Sequence, residues 1–378
     1  MSSKLSDLCY YAEGRIAVAD LDLDSYLSTE NMLPNKEGIT RSSGLPTVSQ
    51  TQAYQADDVL VSNIRPYFRK IWFADREGGC SNDVLVLRAK ETCNPGFLYY
   101  LLSDNNFFDY ATATGKGTKM PRGDKGAIMR YAVPDIPLDT QIEIADTLTA
   151  LDDKIENNAK INPYLEQMAQ AIFKSWFVDF EPSFIRLGDV CQCVLGGTPS
   201  RAKPEYWGGS VPWINSGKVN EFRITEPSEW ITEIGLNNSA TRLLPAKTTV
   251  LAITGATLGQ VSLLEIEACA NQSVVGIVSN EVLPYTFIYP FMVDNIDELI
   301  THQTGGAQQH INKQNIESLE VPCYPEEAIA EYDRTVAPIF EQISNNCFES
   351  VRLAELRDTL LPHLMSGELS VITIDNSK

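Results

Sequence analysis

The stretch Leu151-Asp-Asp-Lys-Ile-Glu-Asn-Asn158 and its counterpart Ile339-Phe-Glu-Gln-Ile-Ser-Asn-Asn346 lie 188 residues apart, and their reading decides the fold. The first sits in a longer run with apolar or seam residues at three- and four-residue steps: Ile144, Leu148, Leu151, Ile155, Asn158, Asn162, Leu165, Ala169, Ile172 and Trp176. The second gives Tyr332, Val336, Ile339, Ile343, Asn346, Ser350, Leu353, Arg357, Leu360 and Leu364. This spacing puts one stripe on one helix face, a heptad-like seam of about five heptads. Asn158 and Asn346 fall at equivalent seam positions, where a buried Asn weakens packing and fixes register. Pro163 removes one N–H from the first helix, so a kink or break is expected near Asn162, and Pro338 and Pro362 are expected to interrupt the second.

Working outward, the rest of the chain repeats too. Val59-Leu-Val61 matches Val250-Leu-Ala252, and Cys80-Ser-Asn-Asp-Val84 matches Cys269-Ala-Asn-Gln-Ser-Val274. Phe97-Leu-Tyr99 matches Phe287-Ile-Tyr289, Asp104-Asn105 matches Asp294-Asn295, Thr114-Gly115 matches Thr304-Gly305, and Val133-Pro134 matches Val321-Pro322. The offsets stay between 188 and 191 and keep the same order, which chance dipeptides do not do. Strand-rich segments, 1–139 and 184–323, therefore alternate with helical segments, 140–183 and 324–378. Two similar halves commonly pack about a pseudo-two-fold axis, which makes the helices antiparallel. A helix of about 38 residues spans at most about 57 Å, long enough to separate two globular parts by about one DNA turn, roughly 34 Å.

The 378 residues carry 30 basic and 50 acidic side chains, a formal charge of −20. Such a balance disfavours a phosphate backbone as partner unless the sign reverses locally. It does. Lys116, Lys119, Arg122, Lys125 and Arg130 face only Asp124 across residues 115–130, in a long Gly-rich loop. Arg65, Arg69 and Lys70 form a second basic cluster with Tyr67, Phe68 and Trp72 interleaved. The second half offers amides and hydroxyls in Gly-rich loops: Thr198, Ser200, Arg201 and Lys203; Lys218; Thr254 and Thr257; Gln308, Gln309, His310 and Lys313. Arg and Lys pair with guanine, Asn and Gln with adenine, and cations follow phosphates. The helical segments are the most acidic per residue.

No run of apolar residues is long enough for a membrane helix, and no apolar leader core opens the chain, so a cytoplasmic location is expected. The eight Cys are scattered, with only Cys191 and Cys193 close, and read as buried reduced thiols. Lys116 lies in Gly-Lys-Gly-Thr, but Tyr110 holds the place where a phosphate loop needs Gly. The three His, His302, His310 and His363, meet no nucleophile motif, so the chain reads as non-catalytic, with no metal site.

Ala171-Ile-Phe-Lys-Ser-Trp-Phe-Val-Asp-Phe180, after Leu151-Asp-Asp-Lys-Ile155, resembles the central conserved helix of specificity subunits of Type I restriction–modification systems. Leu360-Leu-Pro-His-Leu-Met-Ser-Gly-Glu-Leu369 is similar to that family's distal conserved helix. Gly196-Gly-Thr-Pro-Ser200, Thr254-Gly-Ala-Thr257 with Gly259, and Asn271-Gln-Ser273 resemble its target recognition domains. The resemblance implies an α+β chain: two α/β target recognition domains in pseudo-two-fold repeat, separated by two long antiparallel helices in a coiled coil. It implies a bipartite double-stranded DNA target, two methyltransferase (modification) subunits docked on the helices, and motor and restriction subunits beyond them. S-adenosylmethionine, ATP and Mg²⁺ are then expected on those partners and no cofactor on this chain. The alternative that the −20 charge favours is an acidic DNA mimic that inhibits a nuclease; the local basic loops and the repeat speak against it.

Overall fold

The computed structural model describes residues 3–301 and 310–369. The chain divides into two compact units, one of Met1–Lys154 with Leu353–Lys378, the other of Ile155–Arg352. Among the described residues no helix is long and apolar enough to cross a membrane.

In the first unit an antiparallel sheet runs in the order Cys9–Tyr11, Val84–Ala89, Val59–Ser62, Ile71–Phe73. A second sheet runs Arg15–Ala17, Gln50–Tyr54, Gly78–Cys80, Tyr26–Leu27, with the last pair parallel. Every residue of Val59–Ser62 is buried, which is why that strand reads as an unbroken apolar run rather than an alternation. Helix Pro95–Ser103 starts where the Asn94 side chain accepts from the Phe97 N–H at 2.9 Å, with Pro95 in the first turn. It buries Phe97, Leu98 and Leu101 in one core with Ile144 and Leu148 of a long helix.

The second unit repeats the first of these sheets strand for strand and three strands of the other. One sheet runs Gln192–Leu195, Val274–Val278, Thr249–Ala252, Val261–Leu263. The other runs Glu229–Ile231, Trp207–Ile214, Ala268–Ala270, Leu243–Leu244, with Trp207–Ile214 parallel to Ala268–Ala270. The last three match Tyr26–Leu27, Gly78–Cys80 and Gln50–Tyr54, while Glu229–Ile231 adds a strand on the edge opposite to the one Arg15–Ala17 holds in the first unit. The pairing sets the offset at 190 residues, because Val59 faces Leu87 and Thr249 faces Ile277. That corrects two sequence matches by one residue: Val59 corresponds to Thr249, and Cys80 to Ala270. The turn chemistry agrees. Ser81 Oγ accepts from the Asp83 N–H at 3.1 Å, as Asn271 Oδ1 accepts from the Ser273 N–H at 3.0 Å. The repeat also reaches further than the sequence matches. Ser3–Lys4 pairs with Ala132–Val133 and Ser183–Arg186 with Glu320–Cys323, and each leads into a one-turn helix, Leu5–Leu8 or Leu187–Val190.

Two long helices, Leu138–Trp176 with 39 residues and Glu326–Ser366 with 41, contribute to both units. In the second unit Asn158 Nδ2 donates to the Asn346 carbonyl at 3.3 Å, to Glu349 Oε2 at 2.8 Å and to Ser350 Oγ at 3.2 Å. Asn346 Nδ2 donates to Asn162 Oδ1 at 2.8 Å. Partner numbers fall as Asn158 gives way to Asn162, so the helices run antiparallel there, with the expected Asn pair in the seam. All twenty seam residues are buried or half-buried. The expected breaks at Pro163, Pro338 and Pro362 do not occur; both helices run through. All three prolines and the residues four before them, Ala159, Arg334 and Asp358, lie on exposed faces. Each freed carbonyl therefore belongs to a turn bordered by solvent, where water can replace the lost N–H.

A tyrosine–carboxylate–arginine contact ties the long helices into each unit. In the first, Tyr100 Oη donates to Asp152 Oδ2 at 2.7 Å and Arg357 Nη1 to Asp152 Oδ1 at 2.6 Å. In the second, Tyr289 donates to Glu166, and Arg223 Nη1 lies 3.0 Å from Tyr289 Oη and 3.4 Å from Glu166 Oε1.

Candidate nucleic-acid interface

In the first unit the two basic clusters found in sequence meet in space. A turn of 3₁₀ helix, Pro66–Phe68, follows Arg65, and Arg69 closes it. The Arg65 N–H donates to the Pro121 carbonyl at 2.8 Å, and the Gly123 N–H to the Asn63 carbonyl at 3.1 Å. Lys116 and Arg122 exchange backbone hydrogen bonds at 2.8 and 2.9 Å, which turns residues 116–122 into a hairpin-like loop beside the Arg65–Arg69 turn. Tyr67, Phe68 and Met120 are exposed on this face. Arg65 and Lys70 sit about the Phe68 ring, at 6.0 and 5.9 Å from its centroid.

The cations there are partly occupied. Lys116 pairs with Asp124, whose carboxyl is pulled down to about 2 by the Lys116 ammonium and the Ala127 N–H. Arg122 pairs with Asp83 at 2.9 Å, a carboxylate that counting charges within the loop does not find. Arg69 reaches Asp109 at 3.6 Å, and Lys70 donates to the Thr29 carbonyl at 2.7 Å while burial pushes its ammonium down. Lys119 and Lys125 are exposed and form no ion pair among the described residues; Lys125 lies 5.6 Å from the Tyr11 ring. Exposed ion pairs contribute little, so a phosphate can replace Asp83 or Asp124 at small cost. Lys119→Ala is expected to weaken DNA binding across all sequences and to lower the salt slope by about one. Affinity titrated against salt concentration checks this; an unchanged slope would remove Lys119 from the phosphate contacts.

The second unit builds the corresponding face from other chemistry. The turn Gly255–Thr257 takes the place of Pro66–Phe68, with Thr254 bridged to His310 as Ile64 is bridged to Arg122. Thr198 Oγ1 donates to Gln272 Oε1 at 2.5 Å, which joins the Gly196–Ser200 segment to the turn after Ala270. Asn215 caps the 3₁₀ turn Ser216–Asn220, which packs on Gly255–Thr257. Thr198, Lys218, Thr254, Thr257 and His310 are thus gathered by neighbouring loops. Lys313 opens the short helix Lys313–Glu317, the counterpart of Lys125 in Lys125–Ile128. Gln308 and Gln309 lie outside the described residues.

Most of these cations are held internally. Arg201 makes a two-pronged pair with Glu229 at 2.5 and 2.6 Å and lies 3.5 Å from the Trp207 ring centroid. That pairing holds Glu229 below the usual carboxylate range and Arg201 above its ordinary value. Lys218 pairs with Glu221 at 2.8 Å and Lys313 with Glu317 at 3.0 Å. Lys203 Nζ donates to Tyr206 Oη at 2.8 Å, and Ser200 is exposed. Sequence reading missed Glu229, Trp207 and Gln272 as partners of this face. Only the spacing Asn271-Gln-Ser273 carried a signal. All eight Cys are free thiols; burial pushes Cys191 up to about 11 and Cys193 up to about 12.

Two units that share a core topology, each presenting polar and basic loops beside the same sheet turn, define a duplicated α+β chain with one candidate recognition face per unit. The model of the Type I restriction modification DNA specificity domain matches residues 1–167 and again 179–356. The chain belongs to that family, whose work is DNA sequence recognition. It is 26% identical to the HindI Type I restriction enzyme specificity subunit of Haemophilus influenzae, over 91% of this chain and 94% of that one. It is 26% identical to the MjaIX specificity subunit of Methanocaldococcus jannaschii, over 73% of this chain and 69% of that one. Its fold is similar to the crystal structure of the Type I restriction–modification S subunit from M. genitalium, with a TM-score of 0.57 at 17% identity, covering 97% and 96% of the two chains.

Proposed function

We propose that each unit reads one part of a bipartite double-stranded DNA target, and that the chain directs adenine methylation by two bound methyltransferase subunits. Motor and restriction subunits join the same complex for cleavage. The observation that carries this reading is the duplicated fold with different side chains on equivalent loops, Arg65 to Arg69 against Gly255 to Gly259. One backbone presented twice, with different tips, suits two unlike half-sites. In this reading the chain recognises and does no chemistry, and S-adenosylmethionine, ATP and Mg²⁺ belong to the partners. Cytoplasmic location follows from that work on DNA. The family's DNA specificity displaces the acidic-decoy alternative.

The net charge of −20 and the internal pairing of Arg122, Arg201, Lys218 and Lys313 leave few cations for phosphates. The chain alone is therefore expected to bind DNA weakly and to gain specificity when its methyltransferase partner is added. Gel shifts with and without the partner, followed by genome-wide mapping of methylated adenines, test both statements. Two short half-motifs with unread bases between them are expected. A single uninterrupted motif, or tight specific binding by the chain alone, would contradict this reading.

A further inference from the structure

The turns at 65–69 and 255–259 share one backbone and differ in every side chain that matters. In the first, the Ser62 N–H donates to the Lys70 carbonyl at 3.0 Å and the Phe68 N–H to the Arg65 carbonyl at 2.9 Å. In the second, Ala252 donates to Gln260 at 2.9 Å and Leu258 to Gly255 at 3.2 Å. Both turns open and close on left-handed residues. Gly255 and Gly259 have φ of +76° and +85°; Arg65 and Arg69 have +49° and +53°.

Glycine adopts that conformation freely, whereas a bulky residue does not. Arg65 carries a second restriction, because the following Pro66 steers its neighbour away from helical backbone. The fold itself does not ask for arginine at these places, since the other unit builds the same turn from glycine. Backbone bonds hold this turn as they hold its counterpart, but the two arginine side chains return little of the strain. Arg65 Nε is buried without a hydrogen-bond partner among the described residues, and the Arg69 side chain makes one long approach, 3.6 Å, to Asp109. Strained residues whose side chains find so little inside the chain point to use outside it.

The tip between the two arginines supports this. Tyr67 is 49% exposed and Met120 is 51% exposed, beside Arg65, Arg69 and Lys70, with Asp109 and Asp83 paired to Arg69 and Arg122. The Tyr67 and Phe68 rings are 4.8 Å apart, and Phe68 is flanked by Arg65 and Lys70, so Phe68 backs the exposed Tyr67 ring. An exposed aromatic ring so backed, in a turn that opens and closes on arginine, suits a major groove, where phosphates line the walls and the thymine methyl is the one apolar base-edge feature.

We infer that the Arg65–Arg69 turn is the base-reading tongue of the first unit, with Tyr67 as its specificity-determining side chain and Arg65 as a strained residue kept for DNA rather than for folding. Thr257 is the corresponding tip residue of the second unit. The inference rests on the proposed reading of a bipartite DNA target.

The test uses the full chain co-expressed with its methyltransferase partner, with genome-wide adenine methylation and thermal melting as readouts. Tyr67→Ala is expected to relax one base position in one half-motif, lowering discrimination there by roughly 5- to 150-fold. The other half-motif and the melting temperature stay unchanged, and Tyr67→Phe keeps the discrimination. Arg65→Gly is expected to melt no lower than the wild type while methylation occupancy falls at all sites. The inference is overturned if Tyr67→Ala leaves the motif and its occupancy unchanged, or if Arg65→Gly lowers melting and spares occupancy. A wild-type complex that writes no bipartite motif defeats the underlying reading as well, and that control separates the two failures.

Discussion

Replacing Arg223 with alanine is expected to destabilise the second unit by about 3–5 kcal/mol, the range for breaking a buried ion pair from one side. Arg223 is almost wholly buried, and the Glu265 side chain beside it is equally enclosed. Its guanidinium donates to the Phe222 carbonyl at 2.8 Å and to Tyr289 Oη at 3.0 Å, and its Nε lies 3.7 Å from Glu265 Oε1. Burial alone would push the guanidinium down; Tyr289, Glu166 and Glu265 outweigh it and push it up, so the group stays charged. The Phe222 and Tyr289 rings cover it at 4.4 and 4.5 Å. Alanine removes the charge, the ring contacts and a volume the core cannot refill. Glu265 keeps Lys247 and Ser344, and Glu166 keeps Tyr289, so the loss stops short of a fully stranded carboxylate. Urea unfolding followed by tryptophan fluorescence measures it, since Trp176, Trp207, Trp213 and Trp230 all lie in this unit. Arg223→Lys should recover part of the loss by restoring charge without the fork. A loss under about 1 kcal/mol for alanine would mean that Lys247 and Ser344 satisfy Glu265 without Arg223, and that the buried pair is not what holds this part of the unit.

How much of this was legible in the sequence differs by kind of signal. The seam was, because a 3–4 period over ten positions in each helix survives any single exception, Asn158 and Asn346 included. The prolines were misread for a reason local sequence does not hold: whether Pro163 breaks the helix depends on which face the Ala159 carbonyl borders, and that face is set by packing. The repeat was legible but its register slipped by one at Val59. A strand buried on both sides has no alternation, so Val-Leu-Val matches equally well in either phase, and only the ladder decides. The match of Leu5–Leu8 to Leu187–Val190 escaped because its offset is 182, outside the band that the other matches share. The basic loops were legible as charge, and their location beside one another was not. Arg122 finds Asp83, and the Arg65 N–H finds Pro121, across tens of residues with no local pattern to announce either contact.

Gly196→Ala is expected to cost about 3 kcal/mol or more, at or beyond the top of the range for forcing an extra methylene into packed structure. A Cβ at 196 would stand 2.1 Å from the Asn271 carbonyl oxygen and 2.5 Å from that of Ala270. Both are backbone atoms, so no rotamer change relieves the contact; one of two segments must move. Those segments matter to the proposed interface. The Gly196 N–H donates to the Val274 carbonyl at 3.0 Å and the Gly197 N–H to the Ala270 carbonyl at 2.8 Å. Trp213 Nε1 donates to the Gly197 carbonyl at 3.1 Å, and Thr198 then reaches Gln272. The paired glycines of Gly196-Gly-Thr-Pro-Ser200 are therefore a packing device that brings one loop flush against the turn after Ala270. Gly208→Ala is the contrast. Its φ of +78° makes alanine strained, but nothing lies within 4 Å of the added Cβ, so only the left-handed penalty of about 1–2 kcal/mol remains. With the methyltransferase partner present, Gly196→Ala should erase or relax the half-motif read by the second unit before it touches the other. Denaturant midpoints of both variants, set beside their methylation motifs, separate the two effects. If Gly196→Ala and Gly208→Ala proved equally mild and both motifs survived intact, the close approach at Asn271 would not be what holds Thr198 in place.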